Sequence, residues 1–283
     1  MQRSRLWRGF KDNLFLVCCC LAFLIIIVFL LSILFTLVAN GVPYIDNQIF
    51  TAVTPGPGAD KGGLLNAIVG TLIMNFIALI LATPIGMLVA IYLVEISRKS
   101  ALQKIVRFCN DILLSMPSII AGLFIYAILV RPIGHYSAWA GALALMIIAI
   151  PMIVRATEDV LYLASPLMRE SAVALAIPRW RVTLCIIFRS VKQGLITAVL
   201  LALARTMGET APLLFTSLSS DYLSFNLSNP MANLPVVIYQ YAMSPYDNWQ
   251  HLAWAGAFLI TVFILIVNLI SRLLSKESKK GKQ

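Results

Sequence analysis

The sequence predicts an all-α integral membrane protein of six transmembrane helices, with both termini on the cytoplasmic side. Three observations predict it. Of the 283 residues, 60 % are hydrophobic and only 12 % charged, where a soluble domain carries about a quarter charged residues to cover its surface. The apolar runs reach bilayer length and lack the alternation of a barrel strand, so helices are left as the way to satisfy the backbone in a dry membrane interior. Lysines and arginines gather at every second loop, as the positive-inside rule requires.

The spans follow in order. A tail of residues 1–13 carries Arg3, Arg5, Arg8 and Lys11. The first span is Leu14–Ala39, and its 26 uncharged residues outrun the roughly 7–15 of a signal-peptide core. No clear cleavage site follows, so it is expected to stay. The outer loop 40–63 contains "TPGPGADKGG", a turn-rich linker. The second span lies within Leu64–Val94, which is uncharged from Lys61 to Glu95. It is longer than the roughly 30 Å hydrocarbon core, so it should tilt, or bend near Pro84 and Gly86. The third is about Ile112–Val130, with Pro117 near its start, and the fourth about Ala138–Val154, with Pro151 near its end. The fifth is Gln193–Leu218 and the sixth Leu252–Ile270. Residues 64–275 thus form a core of five helices, with an outer loop 219–251 and a basic tail 276–283. Within that loop Leu234–Ala242 is too short to span, and it reads as an interfacial helix opened by Pro235.

Charge fixes the orientation. Four basic residues lie in the N-terminal tail, four in Glu95–Asp111, six in Arg155–Lys192 and five after Ile270, nineteen on one side. Lys61 and Arg131 alone face the other, and Arg205 is inside a span. The net charge of +10 therefore sets topology and touches anionic lipid. It forms no compact basic face, which argues against nucleic-acid binding. Five cysteines, Cys18, Cys19, Cys20, Cys109 and Cys185, show no metal spacing and read as small apolar packing residues. No HExxH, GxSxG or other nucleophile–base arrangement supports an enzyme, and no cofactor is expected.

One span is not apolar throughout. "ALARTMGETAPLL", Ala202–Leu214, carries Arg205 and Glu209. An arginine at the centre of a membrane helix costs about 2.5–3.5 kcal/mol on insertion scales. Lys192 is thirteen residues back, about 20 Å along a helix, too far for easy escape to the surface. Glu209 at i+4 can pair with it. Two readings stay open: a neutralised pair that helps helices associate, or the charged lining of a polar path. Gly208, Thr210 and Pro212 favour the path, because freed backbone groups at membrane depth need a protein or water partner. A planar donor fork suits an oxyanion, without fixing which one.

The long segment Ser165–Ser190 is too polar to span and too apolar to be disordered. Arg169–Leu175 reads as one short helix, and Pro178 can open a second at an angle. Together they would form a knob on the cytoplasmic side, unless the segment is an interfacial amphipathic linker.

"RESAVALAIPRWR" resembles the coupling loop of ABC-importer permeases, with Glu170, Ser171 and Ala172 in its E-A-A positions. "ARTMGETAPLLFT", "NAIVGTLIMNFIALILATPIGMLVAIYLVEIS", "MPSIIAGL" and "NLPVVIYQYA" resemble the phosphate-importer permeases of the PstA type, over roughly residues 62–260. The resemblance implies a MetI-like architecture and a subunit of a heteromeric importer. A second, PstC-like permease, two cytoplasmic ATPase subunits and a periplasmic phosphate-binding protein would complete it. It implies a phosphate path at Arg205, Glu209 and Thr210, and ATPase coupling at Arg169, Glu170, Ser171, Ala172, Leu175 and Ala176. The family has Gly where this chain has Ala176, and Pro where it has Arg189. Glycine permits a left-handed turn cheaply, so Ala176 makes that turn less favourable. No Walker A pattern is present, in keeping with energy supplied by partner ATPases. Molybdate or sulfate as cargo, and a non-pumping channel or scaffold, are the alternatives.

Overall fold

The computed structural model describes residues 2–57, 59, 62–96 and 100–280, and all regular elements among them are helical. Helix α1 (Gln2–Gly41) passes through a 3-10 turn to α2 (Asn47–Thr51), and α3 (Leu65–Ile91) ends in a π turn, Tyr92–Ile96. Then come α4 (Ala101–Ser115), α5 (Ser118–Ile125), a second π turn, α6 (Arg131–Ile133), α7 (Ala138–Tyr162) and α8 (Pro166–Ala174). The chain continues through α9 (Arg179–Arg181), a π turn Val182–Ile187, α10 (Phe188–Thr206), α11 (Ala211–Leu214), α12 (Leu234–Ala242) and α13 (Asp247–Lys280). Five stretches are long and apolar enough to cross a membrane: Asn13–Tyr44, Leu65–Ile96, Ala138–Tyr162, Val182–Thr206 and Asp247–Leu274. A sixth is Ala101–Ser115 with Ser118–Ile133, bent by 102° at their junction, if the pair counts as one span.

Helices α3 and α7 form the centre. Gly70, Met74, Ala78, Ala82, Gly86 and Ala90 recur every fourth residue on the buried face of α3. Gly141, Leu145, Ala149 and Ile153 do the same on α7. Residues four apart share one helix face. Lipid tails are as apolar as leucine, so association in a bilayer rests on close packing of small side chains, and this spacing supplies it. Helix α10 packs on the same face, where Ala202 joins Ala82, Ala149 and Ile153. Helix α1 meets the rest at its end, where Gly41 lies against Trp254 and Phe258 of α13, and its apolar length is otherwise exposed.

Several sequence expectations need correction. The third span is not one helix from Ile112 to Val130. Met116, placed before Pro117, is forced out of the helical region to ψ 132, and the chain turns there. The fifth span is not Gln193–Leu218. The helix that carries it begins at Arg179, directly after Pro178, and ends at Thr206, with the apolar crossing stretch at Val182–Thr206. The expected second helix of the knob is therefore the first turn of this helix. Arg181, Arg189 and Lys192 remain exposed along it, where long basic side chains are tolerated. Helix α3 passes Pro84 as one helix, and the irregular turn comes later, at Tyr92–Ile96. All five cysteines are exposed, because their apolar helix faces have no neighbour within this chain. Helix α12 begins and ends as the sequence indicated, with a proline in its first turn, but Leu234, Val236, Val237 and Tyr241 are buried. It is a packed element rather than a surface one.

Candidate functional site

Two interrupted helices meet at the middle of the molecule. Helix α10 stops where Thr206 turns its hydroxyl onto the carbonyls of Ala202 and Leu203, at 3.1 and 3.2 Å. Glu209 N–H then closes a tight turn on Thr206 O at 3.2 Å. Pro212 lies in the first turn of the short α11, where its missing N–H costs nothing. The second interruption is the Met116–Pro117 bend. The two breaks touch: a Cβ on Gly122 of α5 would lie 2.6 Å from Pro212 Cα. Only glycine allows that approach.

Arg205 stands at this junction. A cavity of about 260 Å³ is lined by Leu113, Met116, Ser118, Ile147, Met152 and Arg205, among others. Ile147 and Met152 are midway along the 25 residues of α7, a helix about 37 Å long. Arg205 is therefore at mid-span, as the sequence required, although it occupies the last turn of its helix rather than the interior. Its Nε is 3.1 Å from Glu209 Oε1. Glu209 is not on the same helix; it pairs from the turn that follows. The side chains differ sharply in exposure, 60 % for Arg205 and 10 % for Glu209. Among the described residues Glu209 is the ion-pair partner of Arg205, which leaves the Nη donors of a five-donor fork unspent. Thr210 is half-buried, precedes α11 without a side-chain cap, and accepts the N–H groups of Leu213 and Leu214 on its carbonyl. It shapes the turn.

The expected coupling residues separate into two faces. Glu170, Ser171, Leu175 and Ala176 are exposed, Leu175 at 74 %. Ala172 is buried at 4 % among Ala90, Val94, Leu161 and Val182. Arg169 also turns inward, to Glu95 of the α3 π turn, with Nη2 and Oε1 2.8 Å apart. Ala176 has φ 53, and Ile177 N–H reaches back to Ala172 O at 3.3 Å. This is the left-handed closure that usually takes glycine, made here with an alanine.

An all-helical bundle broken at two adjacent points, with a side-projecting short helix at one end, is matched by known proteins. Residues 82–280 fit the model of the binding-protein-dependent transport system inner membrane component family. The phosphate transport system permease protein PstA of Pasteurella multocida is 50 % identical over 96 % of this chain and 97 % of its own length. That of Haemophilus influenzae is 48 % identical over 96 % of each, and that of Yersinia pestis 44 % over 98 % and 94 %. The chain belongs to this permease family. Its fold is that of the methionine ABC transporter MetNI in inward-facing form, at TM-score 0.61 and 17 % identity over 76 % of this chain and 95 % of that one. A chain of a bacterial alginate ABC transporter matches over 96 % and 98 %, at TM-score 0.58 and 17 % identity.

The permease also carries polar residues that the sequence did not single out. Glu158 of α7 is buried at 2 % and pairs with Arg107 of α4, which reaches Tyr162 at 3.3 Å. Glu95 counted in the sequence only as the end of an apolar run. At the opposite end of the permease, Asn66 donates to Thr54 Oγ1 and Ser220 O, both at 2.8 Å. Thr71 Oγ1 accepts from Leu234 N at 2.7 Å, so α3 holds both long loops. Asparagine and threonine inside the "LLNAIVGT" run were the available signal.

Proposed function

We propose that this chain is the permease subunit of an ATP-driven phosphate importer and forms the translocation path with a second, PstC-like permease. Two cytoplasmic ATPase subunits dock on α8 and its counterpart, and a periplasmic binding protein delivers phosphate to the opposite face. The excess of basic residues at the α8 end supports a cytoplasmic position for that end and for both termini. The relatives' names support phosphate as cargo.

The observation that carries the mechanism is the guanidinium at mid-span with donors left over. A permanent cation in a low-dielectric cleft attracts an anion strongly. Phosphate takes the free Nη donors, while Glu209 keeps Nε. The carboxylate also repels the anion, so binding is favourable enough to admit phosphate and weak enough to release it, as conduction requires. The broken helices at this depth supply a hinge: α11 and α5 can move together against α10. Alternating access then follows when ATP binding favours one arrangement over the other. Phosphate uptake by proteoliposomes holding the assembled complex tests this. Arg205→Gln lowers uptake at least tenfold, the loss of roughly one charge-assisted contact of 1.5–3 kcal/mol. Uptake at the wild-type rate would remove Arg205 from the path.

A further inference from the structure

The α8 end of the permease holds a second arginine whose surroundings differ from those of Arg205. Arg169 lies on the coupling helix, next to exposed Glu170, yet its side chain is only 16 % exposed. Four of its donors are spent inside the chain. Nε and Nη2 both reach Glu95 Oε1, at 3.0 and 2.8 Å. Nη1 reaches Ala164 O at 2.9 Å and Nη2 reaches Leu161 O at 2.8 Å. The acceptors come from separate places: Glu95 from the turn ending α3, Leu161 from the last turn of α7, and Ala164 from just beyond it. One side chain of α8 thus fastens the ends of both central spans.

Each contact has a physical cause. The last carbonyls of a helix lack the usual i+4 partner; Leu161 O accepts the Ala164 N–H of a closing turn at 3.2 Å and still has room for the guanidinium, and a cation there is favoured by the helix dipole. The planar fork fits a carboxylate and carbonyls at once, which an ammonium cannot do. Glu95 is itself only 13 % exposed on its side chain, so removing one partner strands a mostly buried charge. Ala172, one turn on, packs on the same side against Ala90, Val94 and Leu161. Leu167 and Glu170 of α8 are left exposed, Glu170 at the rim of the open cavity that Arg169 and Glu95 also line.

We infer that Arg169 is a positioning residue that makes α8 move as one body with α3 and α7, and that it is not itself an ATPase contact. This rests on the reading that ATPases dock on α8. Docking uses the open face; Arg169 and Ala172 carry the displacement inward. From α7 the connection continues to α10, where Gly194 lies against Val160 and Ala202 against Ala149. Arg205 lies in the last turn of α10. Sliding of α8 past α3 and α7 would break four hydrogen bonds, so a push on the knob reaches the broken helices instead of being absorbed at its base.

The test uses the full complex with its ATPases and binding protein in proteoliposomes. The variants are Arg169→Gln, Arg169→Lys and Glu95→Gln, with Glu170→Lys for comparison. Arg169→Gln is expected to retain the ATPase subunits on purification while phosphate taken up per ATP hydrolysed falls roughly tenfold, within the range of coupling losses for residues remote from a ligand. Arg169→Lys and Glu95→Gln fall less, by about threefold. Glu170→Lys instead loses the ATPases. Release of the ATPases by Arg169→Gln, or an unchanged ratio of uptake to hydrolysis, overturns the inference. If Arg169→Gln fails to accumulate, Arg169→Lys and Glu95→Gln decide by the same two readings. A wild-type complex that takes up no phosphate removes the importer reading and this inference with it; a working complex with unchanged ratios removes this inference alone.

Discussion

Ala176 has a side chain at φ 53, where a left-handed backbone costs a non-glycine residue about 1–2 kcal/mol. Glycine would remove that strain and give back about 0.4–1 kcal/mol through its freer unfolded chain. Ala176→Gly should therefore stabilise the permease by roughly 0.5–1 kcal/mol, raising the detergent melting midpoint by about 1–3 °C. A lower midpoint would contradict the left-handed turn. At Glu209 the expected effect is kinetic. Its carboxylate takes one donor of Arg205 and repels an incoming anion at 3.1 Å from the guanidinium. Glu209→Gln should bind phosphate more tightly and release it more slowly, so KM for uptake and maximal rate fall together, each about three- to tenfold. A raised KM with an unchanged maximal rate would show that Glu209 serves to position Arg205 and does not weaken anion binding. This arginine–glutamate pair was legible in the sequence because its members are four residues apart. The Arg107–Glu158 pair was not, because 51 residues separate its members and only the fold brings them together.

At the scale of elements, the two interruptions behave as one joint. Helix α5 carries Gly122 and α11 carries Pro212, and their backbones meet without an intervening side chain. Gly122→Val would push methyl groups into the Pro212 backbone and separate the breaks. Uptake should fall more than tenfold, with ATPase subunits still bound, since overpacking a tight contact costs about 1–3 kcal/mol. Wild-type uptake in that variant would mean that the two breaks move independently. The sequence showed Pro117 and Pro212 but not that Gly122, in the helix after the first, lies against the second. It also misplaced the fifth span. Lys192 and Arg189 looked like a boundary, because a hydropathy run stops at charge, whereas a helix stops where its backbone bonds are interrupted. Basic side chains exposed on one face do not interrupt the backbone bonding, which runs from Arg179 through the π turn Val182–Ile187 into α10, so the helix starts just after Pro178, the signal with a steric cause. Proline at the start of α12 was read correctly for the same reason. The four-residue repeat of small residues along α3 was present in the sequence and needed only a helix-packing rule to be seen.

The whole molecule exposes what the assembly must cover. Helix α1 presents Phe15, Phe23, Phe29 and Phe35, each more than 60 % exposed, which suits lipid or a partner helix in a bilayer and no aqueous surface. The orientation of the bundle in that bilayer follows from charge: α3, α7 and α13 each end, and α10 begins, at the side bearing α8, and sixteen of the lysines and arginines among the described residues belong to segments on that side. Short basic loops are held back from translocation, so this side should face the cytoplasm. Single-cysteine labelling checks it. In a variant lacking the five native cysteines, Tyr222→Cys, at a position 82 % exposed in the loop before α12, should react with an impermeant maleimide on intact cells. Glu170→Cys on the open face of α8 should react only after the membrane is opened. The reverse pattern would invert the protein, placing the Arg169 clamp outside, where no ATP is available to drive it, and the charge argument would fail together with the coupling mechanism built on it.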